Sequence, residues 1–176
     1  ASLHFAPGTS YSYVNQNFRI LSEIIQSRTG EDFAALLRAR ILDPAGMPHA
    51  RLNPDTSQVH GGTVGHEGSV ADGFRPAVNR IHWTGDAGLA ASLDDMIAWE
   101  RHIDAVRDDP AALYNRQSAP QSFRGGAPAF YGFGLNHSPI LGRAATSHGG
   151  GLRGWRSFRF RVPEERVSVV VLFNHM

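Results

Sequence analysis

Residues 143–173 read RAATSHGGGLRGWRSFRFRVPEERVSVVVLF. Three strands can be read from this stretch. Arg143 to His148 is a short one. Trp155 to Val162 alternates Arg156, Phe158 and Phe160 with Ser157, Arg159 and Arg161, the period-two pattern of a half-solvated strand. Val167 to Phe173 is a nearly continuous β-branched run, expected to be covered on both faces. Pro163-Glu164-Glu165 makes the hairpin turn between the last two. Further back, Tyr131 to Asn136 alternates aromatic or aliphatic residues with small ones and predicts another strand.

Upstream of this strand-rich part the periodicity is helical. After the Pro7-Gly8-Thr9-Ser10 turn, Phe18, Leu21, Ile24 and Ile25 recur at helical spacing, and Gly30 supplies a stop. Thr29 and Asp32 predict a capping box for a second helix, with Phe33, Leu36, Leu37 and Ile41 as its buried stripe. Ser92 and Asp95 form another capping box, before Met96, Trp99, Ile103 and Val106. Asp109 and Pro110 predict the start of a shorter helix. Residues 54–76, rich in Gly, Thr, Ser and His, read as a long irregular segment. Helices first and antiparallel strands afterwards predict the α+β class. Residues 1–125 are then mainly helical and irregular, and residues 126–176 carry the strands.

Composition sets bounds on function. The 41% hydrophobic and 19% charged fractions are those of a globular chain. A formal net charge of +1 offers no field for nucleic acid or an anionic membrane. The longest apolar run, Val167 to Phe173, is only strand-length. There is no cysteine, hence no disulfide or thiolate chemistry; cytoplasm and periplasm are both compatible with that. All seventeen basic residues are arginine. No cofactor is expected. His60, His66 and Glu67 lack the spacing of a tetrahedral metal set. The arginines from Arg153 to Arg161 read as a solvated strand face rather than a nucleic-acid surface.

Two short segments can carry chemistry. Tyr13 and Asn15 follow the Pro-Gly turn where a helix begins. A phenol ordinarily titrates near pH 10, and a neighbouring ammonium would favour a phenolate able to take a proton from a serine. The Asn15 amide both donates and accepts, which suits a substrate carbonyl. Taken alone, the pair reads more readily as a packed aromatic and a capping Asn. The second segment is His148-Gly149-Gly150-Gly151. Its glycines let a substrate backbone lie close to a strand edge, and a backbone N–H there can form half of an oxyanion hole. His148 can bond substrate or orient a proton carrier. Taken alone, it reads more readily as a glycine-rich turn with a surface histidine.

Together the segments are more specific. Pro7-Gly8 with Tyr11-Ser12-Tyr13-Val14-Asn15 resembles the Tyr-Ser-Asn element of penicillin-recognising serine enzymes. Ser147-His148-Gly149-Gly150 resembles their third element, Lys/His-x-Gly, which in that family borders the active site. The separation of about 135 residues and the intervening Gly85–Met96 stretch follow the family's order. Within this β-lactamase-like group the resemblance is closest to the bacterial D-aminopeptidases and covers essentially the whole chain.

The resemblance implies a helical part beside a five-stranded antiparallel sheet flanked by helices, of β-lactamase/transpeptidase type. It implies serine attack on an amide carbonyl, with a lysine and Tyr13 moving protons, and hydrolysis of the resulting acyl-enzyme by water. By position, Tyr13 is the general acid/base, Asn15 a substrate ligand and His148 the third-element residue. Gly149 lies on the edge, and Gly150 or Gly151 offers the oxyanion N–H. The expected substrates are small peptides or D-amino-acid amides and esters, cleaved to release an N-terminal D-residue. An esterase, a D-alanyl carboxypeptidase and a non-catalytic penicillin-binding-like module are the alternatives. Without lysine the chain holds no Ser-x-x-Lys nucleophile. It is therefore expected to be a partial catalytic domain that needs further N-terminal strands and a C-terminal helix of the same protein. A homo-oligomer is compatible with this reading.

Overall fold

A computed structural model describes residues 3–55, 63–80 and 82–176. The chain forms two compact units, each assembled from separated stretches. The first comprises residues 1–13, 103–149 and 158–170; the second comprises 14–102, 150–157 and 171–176.

In the second unit, helix α1 (Gln16–Thr29) ends at Gly30, whose φ of 72° is the left-handed cap geometry glycine adopts freely. Of its apolar stripe only Phe18 is half-buried. Ile20, Leu21, Ile24 and Ile25 are exposed, and Ser22 is the buried position, bonded to Thr84 O at 3.1 Å. Helix α2 (Phe33–Leu37) is capped by Asp32, whose carboxylate accepts from Ala35 N at 3.1 Å. Thr29 is not its capping partner; that hydroxyl donates to Ile25 O within α1. The expected single helix to Ile41 changes at Arg38–Leu42 into a π-helical turn. Leu42, Ala45, Met47 and Ala50 form the core here, with Leu37, Ile41, Met96 and Trp99 against them.

Strands β1 (Arg51–Leu52) and β4 (Leu89–Ala90) pair antiparallel. Between them, β2 (His66–Ser69) and β3 (Gly73–Pro76) form an antiparallel hairpin inside the segment expected to be irregular. Helix α3 (Leu93–Ala105) starts with the full reciprocal box: Asp95 N donates to Ser92 Oγ at 3.1 Å and Ser92 N to Asp95 Oδ2 at 2.9 Å. Burial works against the Asp95 charge, but the bonds from Ser92 and the His49 N–H outweigh it and hold the carboxyl below its ordinary range.

In the first unit, helix α4 (Leu113–Gln117) begins after a turn in which Asp109 accepts from Ala111 N. The helix therefore starts three residues later than the Asp109-Pro110 signal suggests. Strands β5 (Gln121–Ser122) and β6 (Pro128–Ala129) pair with each other. The expected strand at 131–136 is instead a tight antiparallel hairpin, β7 (Tyr131–Gly132) and β8 (Leu135–His137). Phe133 (φ 51°) and Gly134 (φ 81°) are both left-handed, the geometry of a type I′ two-residue turn.

Three long strands follow: β9 (Thr146–Leu152), β10 (Trp155–Val162) and β11 (Val167–Phe173). The last two keep the limits read from their sequence. The five-stranded sheet has the order β11-β10-β9-β8-β7. This puts β11 on an edge, and Val167, Val169, Leu172 and Phe173 are exposed, not covered on both faces. On β10 the alternation also runs against expectation. Arg161 is buried with Val162, while Phe158 is exposed. In the first unit, Arg159 Nη1 donates to the Tyr114 hydroxyl at 3.0 Å and its guanidinium lies 5.1 Å from that ring's centre.

Candidate active site

In the first unit three aromatic phenols and one imidazole gather where the N-terminal segment meets β7 and β9. Tyr11 and Tyr13, two residues apart, both reach Tyr131. Tyr11 packs edge-on against Phe130 (ring centres 5.0 Å apart) and against Tyr131 (5.1 Å). Tyr13 packs edge-on against Tyr131 at 5.8 Å and lies nearly parallel to His148 at 6.4 Å. Tyr131 Oη and His148 Nε2 are 3.0 Å apart, a hydrogen bond. Tyr13 itself is 55% exposed, so a substrate can reach its phenol.

Tyr131 is the half-buried centre of this group. Burial first, then the neighbouring Tyr13 and Tyr11 phenols, push its pKa up to about 12. Tyr11 is raised too, by burial and then by Tyr13.

Of the residues singled out in the sequence, Tyr13 and His148 come together here, and Gly149 follows His148 on β9. Strand β8 pairs with Thr146 and Ser147. From Gly149 onward β9 runs past that partner, leaving an exposed, glycine-rich backbone. Gly150 and Gly151 belong to the second unit. A Cβ on Gly150 would meet the Ser157 hydroxyl, and one on Gly151 would lie 2.6 Å from Arg156 Nη1. Asn15, also in the second unit, occupies the N-cap position of α1, but its side chain makes no cap bond. Only its carbonyl is used there, accepting from Phe18 N at 3.0 Å. The amide is not spent on starting the helix.

Tyr131 and Tyr11 were not marked as site residues in the sequence. Tyr11 sits at i−2 from Tyr13, a spacing that shares a side only if the segment is extended. Tyr131 was hidden because Tyr-Gly-Phe-Gly-Leu reads as one alternating strand. The signal that could expose it is the Phe133-Gly134 pair as a two-residue turn.

The second unit holds a cavity of about 1000 Å³ bounded by Glu67, Asn79, Arg80, Trp83, Arg153 and Arg156, among others. Glu67 accepts from Arg153 at 2.5 and 2.7 Å and from Arg75 at 3.0 Å. These guanidiniums, the Arg153 hydrogen bond first, hold its carboxyl below the ordinary range. Glu67 is therefore committed to arginine, not poised beside His66 as a metal ligand. The His66 backbone pairs with Asn174 and Met176, and His60 lies outside the described residues. Asn79 donates to Arg153 O at 2.7 Å and fixes the β9–β10 turn.

Comparison with known proteins places these features in context. The Beta-lactamase family model matches residues 1–176. A D-aminopeptidase from Gluconobacter oxydans is 61% identical over 175 residues, 99% of this chain and 33% of that protein. A D-aminopeptidase from Brucella ovis is 56% identical over 171 residues, 97% of this chain and 33% of that protein. The chain thus spans about a third of the length of these curated relatives. Among solved structures, a penicillin-binding protein from Bacillus halodurans aligns with a TM-score of 0.79 at 18% identity, covering 99% of this chain and 55% of that one. A D-stereospecific amidohydrolase from Streptomyces aligns with a TM-score of 0.76 at 21% identity, covering 97% and 52%. These two likenesses establish the fold.

Proposed function

Since the chain belongs to the beta-lactamase family, we propose that it forms the tyrosine- and histidine-bearing part of a serine hydrolase that works through an acyl-enzyme and releases N-terminal D-residues from small peptides, amides or esters. The observation that carries this reading is the Tyr13–Tyr131–His148 group, which joins the two sequence elements of the family in one unit. The names of relatives at 61% and 56% identity support the D-aminopeptidase specificity.

In this reading a serine hydroxyl attacks the substrate carbonyl. Its proton passes to Tyr13 as phenolate, and Tyr13 then gives a proton to the leaving amine. Water hydrolyses the acyl-enzyme by the same route reversed. Asn15 bonds the substrate carbonyl or amide. Gly150 or Gly151, next to Gly149 on this exposed edge, supplies an N–H toward the developing oxyanion. His148 borders the site on the same strand. The nucleophile and its lysine come from elsewhere in the protein, because no residue of this chain is lysine. Assay of the full-length protein on D- and L-alanine p-nitroanilide tests the reading. Hydrolysis of the D-compound in strong preference is expected; equal turnover of both, or of neither, refutes it.

A further inference from the structure

We propose that Arg156, together with Arg80 in the cavity of the second unit, binds a carboxylate on the leaving part of the peptide substrate, so that acid-bearing peptides are preferred to their neutral counterparts. This specificity rests on the hydrolase reading given above.

The cavity, about 1000 Å³, is far larger than a bare ion needs and is walled by both carbon and charge. Leu152 and Trp83 contribute apolar surface. Among its described charged lining residues, three arginines stand against one carboxylate: Arg80, Arg153 and Arg156 against Glu67. Glu67 is already engaged, since it accepts from Arg153 and from Arg75. Among the described residues neither Arg80 nor Arg156 has a carboxylate partner. Arg156 Nη1 donates only to the carbonyl of its own neighbour Trp155, at 3.3 Å. A guanidinium left in this state matches the two oxygens of a carboxylate in charge and in fork geometry.

The backbone leaves room for this arginine. Arg156 lies on β10 and Gly151 on the adjoining β9. A Cβ on Gly151 would lie 2.6 Å from Arg156 Nη1 and 3.3 Å from its Cζ. The guanidinium thus fills the space that a side chain at 151 would take, and glycine is the residue that permits so close an approach. Gly151 also lines the cavity and is one of the two residues whose N–H is offered to the oxyanion. A scissile carbonyl bonded there has a guanidinium against the same residue. Charge decides which side of the scissile bond enters the cavity. The N-terminal D-residue carries an ammonium, which arginines without carboxylates repel. The leaving part carries a C-terminal carboxylate or an acidic side chain, which they attract, and the apolar wall suits the hydrocarbon between.

The test follows D-alanine release by the full-length protein from two matched pairs: D-alanyl-leucine against its amide, and D-alanyl-glutamate α-amide against D-alanyl-glutamine amide. The first pair reports a C-terminal carboxylate, the second a side-chain one. In the wild type, kcat/KM should be about tenfold higher for at least one acid than for its neutral mate, the lower end of what a charge-assisted pair supplies. Arg156→Met should bring that ratio to about one, and Arg156→Lys should keep part of it. Arg28→Met, which removes an exposed charge from the end of α1, should keep all of it. Equal cleavage of acids and neutral mates by the wild type overturns the assignment, as does an advantage that survives Arg156→Met. Calorimetric binding of the same four peptides separates the site from the reaction. A wild type that cleaves none of them refutes the hydrolase reading, while an Arg156-dependent tenfold preference in Kd for an acid still establishes the carboxylate site. Equal Kd values within both pairs, or no binding of any peptide, overturn it.

Discussion

Arg161 Nη2 lies 3.2 Å from Asp104 Oδ1, and the arginine is only 4% exposed. A strand position that alternation assigns to solvent therefore carries its charge inward, to a carboxylate that also binds Arg166 at 2.5 and 3.3 Å. The two partners should not be equally replaceable. Asp104→Ala leaves a buried guanidinium without that carboxylate and should lower Tm by several degrees. Arg161→Met fills the same volume without a charge and should lower it much less, or raise it. A thermal melt of each variant decides, and equal losses would show that the pair is not a buried charge problem.

The same carboxylate gives a pH dependence. Arg166 first, then Arg161 and Arg107, hold Asp104 below its ordinary range. A depressed folded value means that the stabilisation is complete above the unfolded carboxylate pKa of about 4. It is lost as pH falls through the lower folded value. Chemical denaturation between pH 6 and about 2.5 should show an acid-side decline that is shallower in Asp104→Asn.

Tyr13→Phe in the full-length protein should lower kcat by roughly 10²–10⁴ with little change in KM, because proton transfer is needed in the transition state and not for binding. Steady-state kinetics on D-alanine amide measures this. A kcat within a few-fold of wild type would make Tyr13 a packing residue.

Residues 1–176 on their own should associate and should not turn over D-alanine p-nitroanilide. Strand β11 is a sheet edge with exposed Val169, Leu172 and Phe173, and α1 exposes Ile20, Leu21, Ile24 and Ile25. An apolar edge templates pairing with another chain. Val169→Lys should reduce light scattering by blunting that edge. A monomer with a concentration-independent melt would show that both surfaces are tolerated in water.

Gly85→Ala should destabilise by about 2 kcal/mol or more. Gly85 has a φ of 84°, and a Cβ there would lie 2.7 Å from Ser22 Cβ and 2.8 Å from Phe18 O. The glycine lets this turn press against α1, where the Ser22 hydroxyl reaches Thr84 O. A urea melt gives the difference.

Long-period and period-two patterns were legible where one local rule decided the outcome. The α1 stop at Gly30, the Ser92–Asp95 box and the limits of β10 and β11 are of this kind. Features set by distant partners were not. Arg161 turns inward because Asp104, 57 positions away, meets it. The β2–β3 hairpin carries no alternating apolar residues, being held by pairs such as Glu67–Arg75. The Phe133-Gly134 turn lacks the Asn or Asp that usually marks a type I′ geometry. For the same reason Tyr13 and His148 could be nominated from their motifs, whereas Tyr131 between them required the hairpin.

The interleaving of the two units also bears on how the chain is made. Each unit draws on an early stretch and a late one: residues 1–13 group with 158–170, and residues 14–102 with 171–176. Translation therefore cannot finish one unit before beginning the other. Until β10 and β11 leave the ribosome, each unit lacks part of its chain. Such a chain gains little from folding in the order of synthesis.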